Sequence, residues 1–247
     1  MLALVKGFTK ELFHALGLEI QRVPPFRAYE WLRGENIRTI FDVGANTGQF
    51  ARCIHLILPE SLIYSFEPLP QCHEQLVMSM GRVPQFRAFR FALSDECGSA
   101  PMYHNKFSPS SSLLPMEHLH QEAFPYTRQA DTEWVEVKRL DDFVDDLKIV
   151  DNVLVKIDVQ GLEDKVIRGG ERMVSRASVL ILETAFRPLY TGQPLFETIY
   201  DILRAKGFVF MGCESPMRNP RDGRILQCDS IFVRRDGRKA LAVVPGN

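Results

Sequence analysis

From residue 38 onward the apolar positions switch repeatedly between two spacings. RTIFDV (38–43), LIYSF (62–66), NVLVKID (152–158) and SVLILE (178–183) are short β-branched or aromatic runs that predict strands. The last two are apolar enough to be buried on both sheet faces. A helical spacing follows each: Phe50, Cys53, Ile54, Ile57 and Leu58 after the first, Cys72–Met80 after the second, then helices ending at Gly169–Gly170 and Gly207. FRAFRFAL (86–93) predicts one further strand. FVFMG (208–212) and QCDSIFV (227–233) predict two more, joined by a polar, turn-rich loop and so forming an antiparallel hairpin at a sheet edge. Repeated β-α-β spacing implies an α/β, Rossmann-like sheet, mostly parallel, with helices on both faces.

Residues 99–140 break the alternation. PMYHN and EWVEVKRL flank a loop rich in Ser, Pro and His, which predicts a small β insertion at the C-terminal edge, where open α/β sheets bind ligands. At the other end, Val5, Phe8, Leu12 and Leu16 give an amphipathic helix. Lys6 and Lys10 interrupt any leader-like apolar core, and a short helix follows around Phe26–Arg33 and ends at Gly34. The expected organisation is an N-terminal helical segment, 1–35, and a single domain, 36–247, that carries the insertion.

Charge and composition narrow the classes. Thirty Lys+Arg against 31 Asp+Glu leave a net charge of −1, without the basic excess of a nucleic-acid binder. The longest unbroken apolar run is five residues, against roughly 20 for a membrane span. Five cysteines, an odd number with irregular gaps and no C-x-x-C pair, argue against a disulfide framework or zinc site and for a reducing cytoplasm.

DVGANTG (42–48) lies between a predicted strand and a predicted helix. Gly44 and Gly48 allow a sharp turn and close approach of backbone to ligand, and the free N–H groups of the helix favour a negative group. Asn46 stands where the dinucleotide fingerprint G-x-G-x-x-G has its second glycine, which disfavours a nucleotide-dependent oxidoreductase. Asp42 is misplaced for a pyrophosphate but suits an ammonium group. Glu67, followed by Pro68, sits about 20 residues on, where an acidic residue grips ribose hydroxyls. The third strand ends in Ala92-Leu93-Ser94-Asp95, where the backbone and Asp95 could meet an adenine edge. The candidate cofactor set is thus Asp42, Gly44, Asn46, Thr47, Gly48, Glu67, Pro68, Ser94 and Asp95, with Asp158 joining from the fourth strand. An adenosine nucleoside bearing an ammonium and a carboxylate is S-adenosyl-L-methionine.

These stretches carry a resemblance. DVGANTGQF, SFEP and FALSDECG, then VEVKRLDDF (135–143), VLVKIDVQGLEDKVIRGG (153–170) and LILETAFRPLYTGQPLFETIYDILRAKGF (180–208), resemble the FkbM-type class I S-adenosylmethionine-dependent methyltransferases over residues 36–212. The family usually has D-V-E-G where this chain has Gln160, so one carboxylate is missing from that loop. The resemblance implies a seven-stranded sheet of order 3-2-1-4-5-7-6. It also implies methyl transfer to oxygen on a sugar or natural product, with a small-molecule acceptor and a homodimer among the allowed assemblies. A domain that binds the cofactor without turnover is the alternative from another class.

Asp158 and Glu183 end neighbouring predicted strands on the ligand-binding edge, where either could orient a hydroxyl or take its proton. Lys156, two residues before Asp158, shares its sheet face, and catalysis and structural pairing with Asp158 both remain open. Glu163 is a helix-capping candidate, and the serines of SPSSSLLP (108–115) are candidates for the acceptor pocket. His118 and His120 could share a strand face, though no third metal ligand is fixed by spacing. Asp141, Asp142, Asp145 and Asp146 read as helix-capping and solvated charge.

Overall fold

The structure is a computed structural model that describes residues 27–104, 110–127, 131–142 and 144–234; the amphipathic helix expected near the N-terminus lies outside these. Seven strands form the main sheet: β1 (Thr39–Val43), β2 (Leu62–Phe66), β3 (Phe86–Phe89), β7 (Val153–Ile157), β8 (Ala177–Ala185), β9 (Phe208–Arg218) and β10 (Ile225–Arg234). Their order is β3-β2-β1-β7-β8-β10-β9, parallel as far as β8, with β10 antiparallel to both neighbours. This is the expected 3-2-1-4-5-7-6 arrangement. The helices α1 (Gln49–Ile57), α2 (Pro70–Met80), α3 (His118–Ala123), α4 (Glu163–Gly169), α5 (Glu171–Arg176) and α6 (Phe196–Ala205) fall between strands.

Alternation along the strands explains the two cores. Ile40, Ile63, Leu154, Val179 and Ile181 face Ile54, Ile57 and Leu76 of α1 and α2. Phe41, Tyr64, Val155, Leu180 and Phe232 point the other way, onto Val166, Ile167 and Leu203 of α4 and α6. Every residue of β1 and β7 is buried, which fits central strands covered on both sides.

Four expectations need correction. FRAFRFAL is two strands: the ladder to β2 closes where Glu67 N–H donates to the Phe89 carbonyl. The chain then bends, and β4 (Ala92–Leu93) pairs with β6 (Asp131–Lys138) in a second sheet of order β4-β6-β5, where β5 is Gly98–His104. No Gly or Pro marks that bend, because Phe91 keeps packing on Phe66 and Phe89. The C-terminal hairpin runs far past the apolar runs, to a turn in which Asn219 N–H donates to the Arg224 carbonyl and the Asn219 carbonyl accepts from Gly223 N–H. Backbone pairing carries its outer half, where Cys213, Ser215, Pro216 and Arg218 are exposed. A further short helix, α5, follows Gly170, and Asp141 caps it by accepting from the N–H groups of Arg172 (2.8 Å) and Met173 (3.1 Å). Finally, the EHLHQE stretch is helical, so His118 and His120 diverge instead of sharing a face. His120 is buried against Phe124 and Tyr190, and that burial lowers its pKa to about 4.

Around Phe26–Arg33 the short helix takes 3-10 form and runs over Arg27–Glu35. Among the described residues, no helix is long and apolar enough to cross a membrane.

Candidate active site

The parallel strands β2, β1, β7 and β8 all deliver their C-terminal ends to one edge, and a cavity of about 360 Å³ opens there. Gly44 begins the turn after β1 at φ +78°; a Cβ on it would lie 1.8 Å from the Asp158 carbonyl oxygen, so only glycine fits. Asn46 is left-handed too (φ +49°), and its side-chain oxygen accepts the Thr47 N–H at 2.8 Å. Gly48, at φ +87°, opens α1.

Glu67 knits this turn to β2. One carboxylate oxygen accepts the Asn46 N–H and the other the Leu69 N–H, each at 2.9 Å. Burial pushes its pKa up to about 7, against the opposing pull of those two donors. Each oxygen keeps a second lone pair for a ligand hydroxyl.

At the end of β7, Lys156 Nζ lies 2.9 Å from Asp158 Oδ2. Burial works against the lysine charge, yet Asp158, Asp42 and Asp229 together hold it firmly protonated. For Asp158, burial alone would raise the pKa, but the Lys156 charge and hydrogen bonds from Lys156 and Gln160 bring it below the usual carboxylate range. Glu183 goes the other way. Burial and the charges of Asp158, Glu163 and Asp229 lift its pKa well above the usual carboxylate range. Gln160 stands between the two, with its Nε2 donating to Asp158 Oδ1 at 2.9 Å and to Glu183 Oε2.

Gly44, Asn46, Glu67, Pro68, Lys156 and Asp158 line the cavity. Asp42 does not reach it: fully buried beside Lys156, it accepts from the Ser65 hydroxyl at 3.1 Å, and burial raises its pKa to about 6. Thr47 and Gly48 are not in the cavity lining. Glu183 lies behind Gln160, with its second oxygen bound by Gln227. Ser94 and Asp95 line a separate cavity of about 240 Å³, where Asp95 pairs with Arg168 and Lys165. Glu163 ties the loop before α4, accepting from Gly161 N–H at 3.1 Å and Val159 N–H at 3.3 Å.

Several lining residues escaped the sequence reading. Tyr29 closes one wall from the 3-10 helix; its ring meets Phe50 edge-on and its hydroxyl donates to Asp229 at 3.2 Å. No local pattern signals a contact with a residue 200 positions away. Phe91 lines another wall beside Ala92 and Leu93, which were expected there, while the bend after Phe89 carries Asp95 past it. Of the candidate serines, Ser111 lines the cavity, whereas Ser112 is spent on the Gln160 carbonyl.

A family model described as the methyltransferase FkbM domain matches residues 42–210, more than half of the chain. The chain belongs to the FkbM methyltransferase family. Among curated relatives, 2-O-methyltransferase NoeI of Sinorhizobium fredii is 29% identical over 172 residues, 66% of this chain and 70% of NoeI. Methyltransferase 1 of Beauveria bassiana is 28% identical over 202 residues, 74% of this chain and 76% of its own. Among solved structures, Aeropyrum pernix fibrillarin in complex with natively bound S-adenosyl-L-methionine covers 85% of this chain and 76% of its own, at TM-score 0.47 and 12% identity. The FkbM match contains every residue of the turn, Glu67, and the Lys156–Glu183 cluster; Tyr29 and Asp229 fall outside it.

Proposed function

We propose that this FkbM-family methyltransferase uses S-adenosyl-L-methionine to methylate a hydroxyl oxygen on a small molecule, a sugar or other natural product. One observation carries the reading: a single cavity has the Glu67 carboxylate and the Gly44–Asn46 turn in its lining together with the Lys156–Asp158 pair. Its volume falls within the roughly 300–1,000 Å³ of small-molecule sites. Phe66, Leu69, Phe91, Leu93 and Met102 offer apolar walls for a flat base. Glu67 would accept from the ribose hydroxyls, and the Gly44–Asn46 backbone would approach the amino-acid end. The carboxylates of Asp158, Asp42 and Asp229 around one lysine favour a positively charged ligand. When bound, the cofactor supplies an electrophilic methyl group on a sulfonium.

The chain's own residues then have two tasks. Positioning comes first, because an in-line displacement needs the acceptor oxygen held on axis. Asp158 would orient the acceptor hydroxyl and accept its proton, and Lys156 keeps Asp158 ionised and ready to do so. Glu183 supports Gln160 from behind by accepting from its Nε2. The name of NoeI, a 2-O-methyltransferase, supports oxygen as the acceptor atom, and five cysteines without a disulfide fit a cytoplasmic setting.

The test is incubation of the purified protein with methyl-labelled cofactor and a panel of saccharides and hydroxylated natural products. The expected result is label on an oxygen, seen as a mass gain of one CH₂ unit. Label only on nitrogen or carbon acceptors would overturn the oxygen assignment.

A further inference from the structure

Two adjacent parallel strands deliver Asp158 and Glu183 side by side, and one neutral side chain joins them. Gln160 Nε2 donates to Asp158 Oδ1 at 2.9 Å and to Glu183 Oε2. Its amide takes that sense because the ionised Asp158 can only accept; on the other side Oε1 meets the Tyr190 hydroxyl at 2.7 Å, which also reaches the Ser110 carbonyl at 3.2 Å. Turned over, it would set an oxygen against two acids. The backbone is held as tightly: the Ser112 hydroxyl donates to the Gln160 carbonyl at 2.6 Å, and the residue sits at φ +57°, which a non-glycine residue adopts at a cost. The charged groups facing this cluster are Lys156 and Asp42 from the central strands, Asp229 from β10, and Glu163 from α4. Lys156 is engaged by Asp158. Glu183 instead meets two glutamine amides, Gln160 and Gln227.

We propose that Gln160 is a positioning residue that takes the place of a divalent cation, joining Asp158 and Glu183 through two N–H groups without adding charge. The role rests on the reading above, in which this end of the cavity orients the acceptor. A carboxylate at 160 has the same shape but no donors. It would face two acceptor groups with a third, and hard divalent cations are bound by such oxygen sets.

The experiment compares wild type with Gln160→Glu and Gln160→Met, titrating Mn²⁺ by calorimetry at pH 7.5 and recording melting temperature in EDTA or Mn²⁺. Wild type and Gln160→Met should show no Mn²⁺ binding, with Gln160→Met melting lower than wild type. Gln160→Glu should bind one Mn²⁺ and melt several degrees higher with it than in EDTA. A variant that folds only when Mn²⁺ is present is the same result in stronger form. If Gln160→Glu does not fold at all, the smaller Gln160→Asp repeats the test without added bulk. Mn²⁺ binding by wild type, or a folded acidic variant indifferent to Mn²⁺, would overturn the proposal. Neither readout uses cofactor or acceptor, so this outcome is separate from whether methyl transfer is found.

Discussion

Lys156 and Asp158, two residues apart at the end of β7, form a 2.9 Å ion pair in which the lysine side chain keeps 8% of its exposure and the aspartate 29%. The pair gives Asp158 two separable consequences. It is a structural partner for a buried ammonium, and it is the ionised carboxylate at the cavity wall.

Asp158→Asn should therefore lower both turnover and stability. Losing a positioned base costs about 10²–10⁴-fold in rate. Taking from Lys156 its hydrogen-bonded partner costs about 3 kcal/mol, at the low end for buried pairs because Asp158 is partly exposed and Asp42 and Asp229 remain near the lysine. At roughly 2–4 °C per kcal/mol for a chain of this size, melting should fall by about 6–12 °C. The double variant Lys156→Met with Asp158→Asn removes both charges. It should regain part of the melting temperature, since Asp42 and Asp229 lose the lysine as well, and none of the turnover. Recovery of turnover together with stability would make the role of Asp158 structural.

Glu67 makes cofactor affinity depend on pH. Its pKa in the folded protein is raised to about 7 by burial, so at pH 6 it is mostly protonated. If the carboxylate is the form that accepts ribose hydroxyls, binding should tighten as pH rises, by about tenfold from pH 6 to a plateau near pH 8. Glu67→Gln should bind at least about tenfold more weakly at pH 8, since charge-assisted bonds are worth about 1.5–3 kcal/mol each. It should also lose the pH slope. The linkage for folding has the opposite sense. A raised carboxyl pKa stabilises the free protein below the unfolded value and loses that contribution as pH climbs through 7, so free wild type should melt lower at pH 8 than at pH 5.5 as far as Glu67, and Glu163 with its similar pKa of about 7, are concerned. An affinity flat in pH for wild type would show that Glu67 does not hold the ribose.

How much of this was legible depended on where the signal lay. The strands and the Gly44–Gly48 turn are local chemistry: periodicity, glycines at required φ values, and an acid one strand over; the strand order came with the family resemblance. The split of FRAFRFAL was hidden because Phe91 continues the apolar pattern across the bend. Tyr29 and Asp229 were hidden because they meet only through the fold. Gln160 stood out as a departure from a motif, yet its part in joining two carboxylates depends on Tyr190 and Glu183, which lie 30 and 23 residues away.

Gly44→Ala should be among the most damaging single-methyl additions. The new Cβ would overlap the Asp158 carbonyl at 1.8 Å, on a backbone already at φ +78°. A loss of about 3 kcal/mol or more is expected, along with cofactor binding. Gly34→Ala, with nothing within 4 Å of its Cβ, is the control and should melt within about 1–2 °C of wild type. Circular dichroism melts of both variants check this; equal stability would mean that the turn relaxes away from Asp158.

The central claim is that the Gly44–Asn46 turn, Glu67 and Asp158 build a site for S-adenosyl-L-methionine, and titration calorimetry on the purified chain tests it most directly. S-adenosyl-L-methionine and S-adenosylhomocysteine should each bind at one site with micromolar affinity, Glu67→Gln should weaken both, and NAD should give no heat. Micromolar binding of NAD with none of either adenosyl ligand would contradict the account.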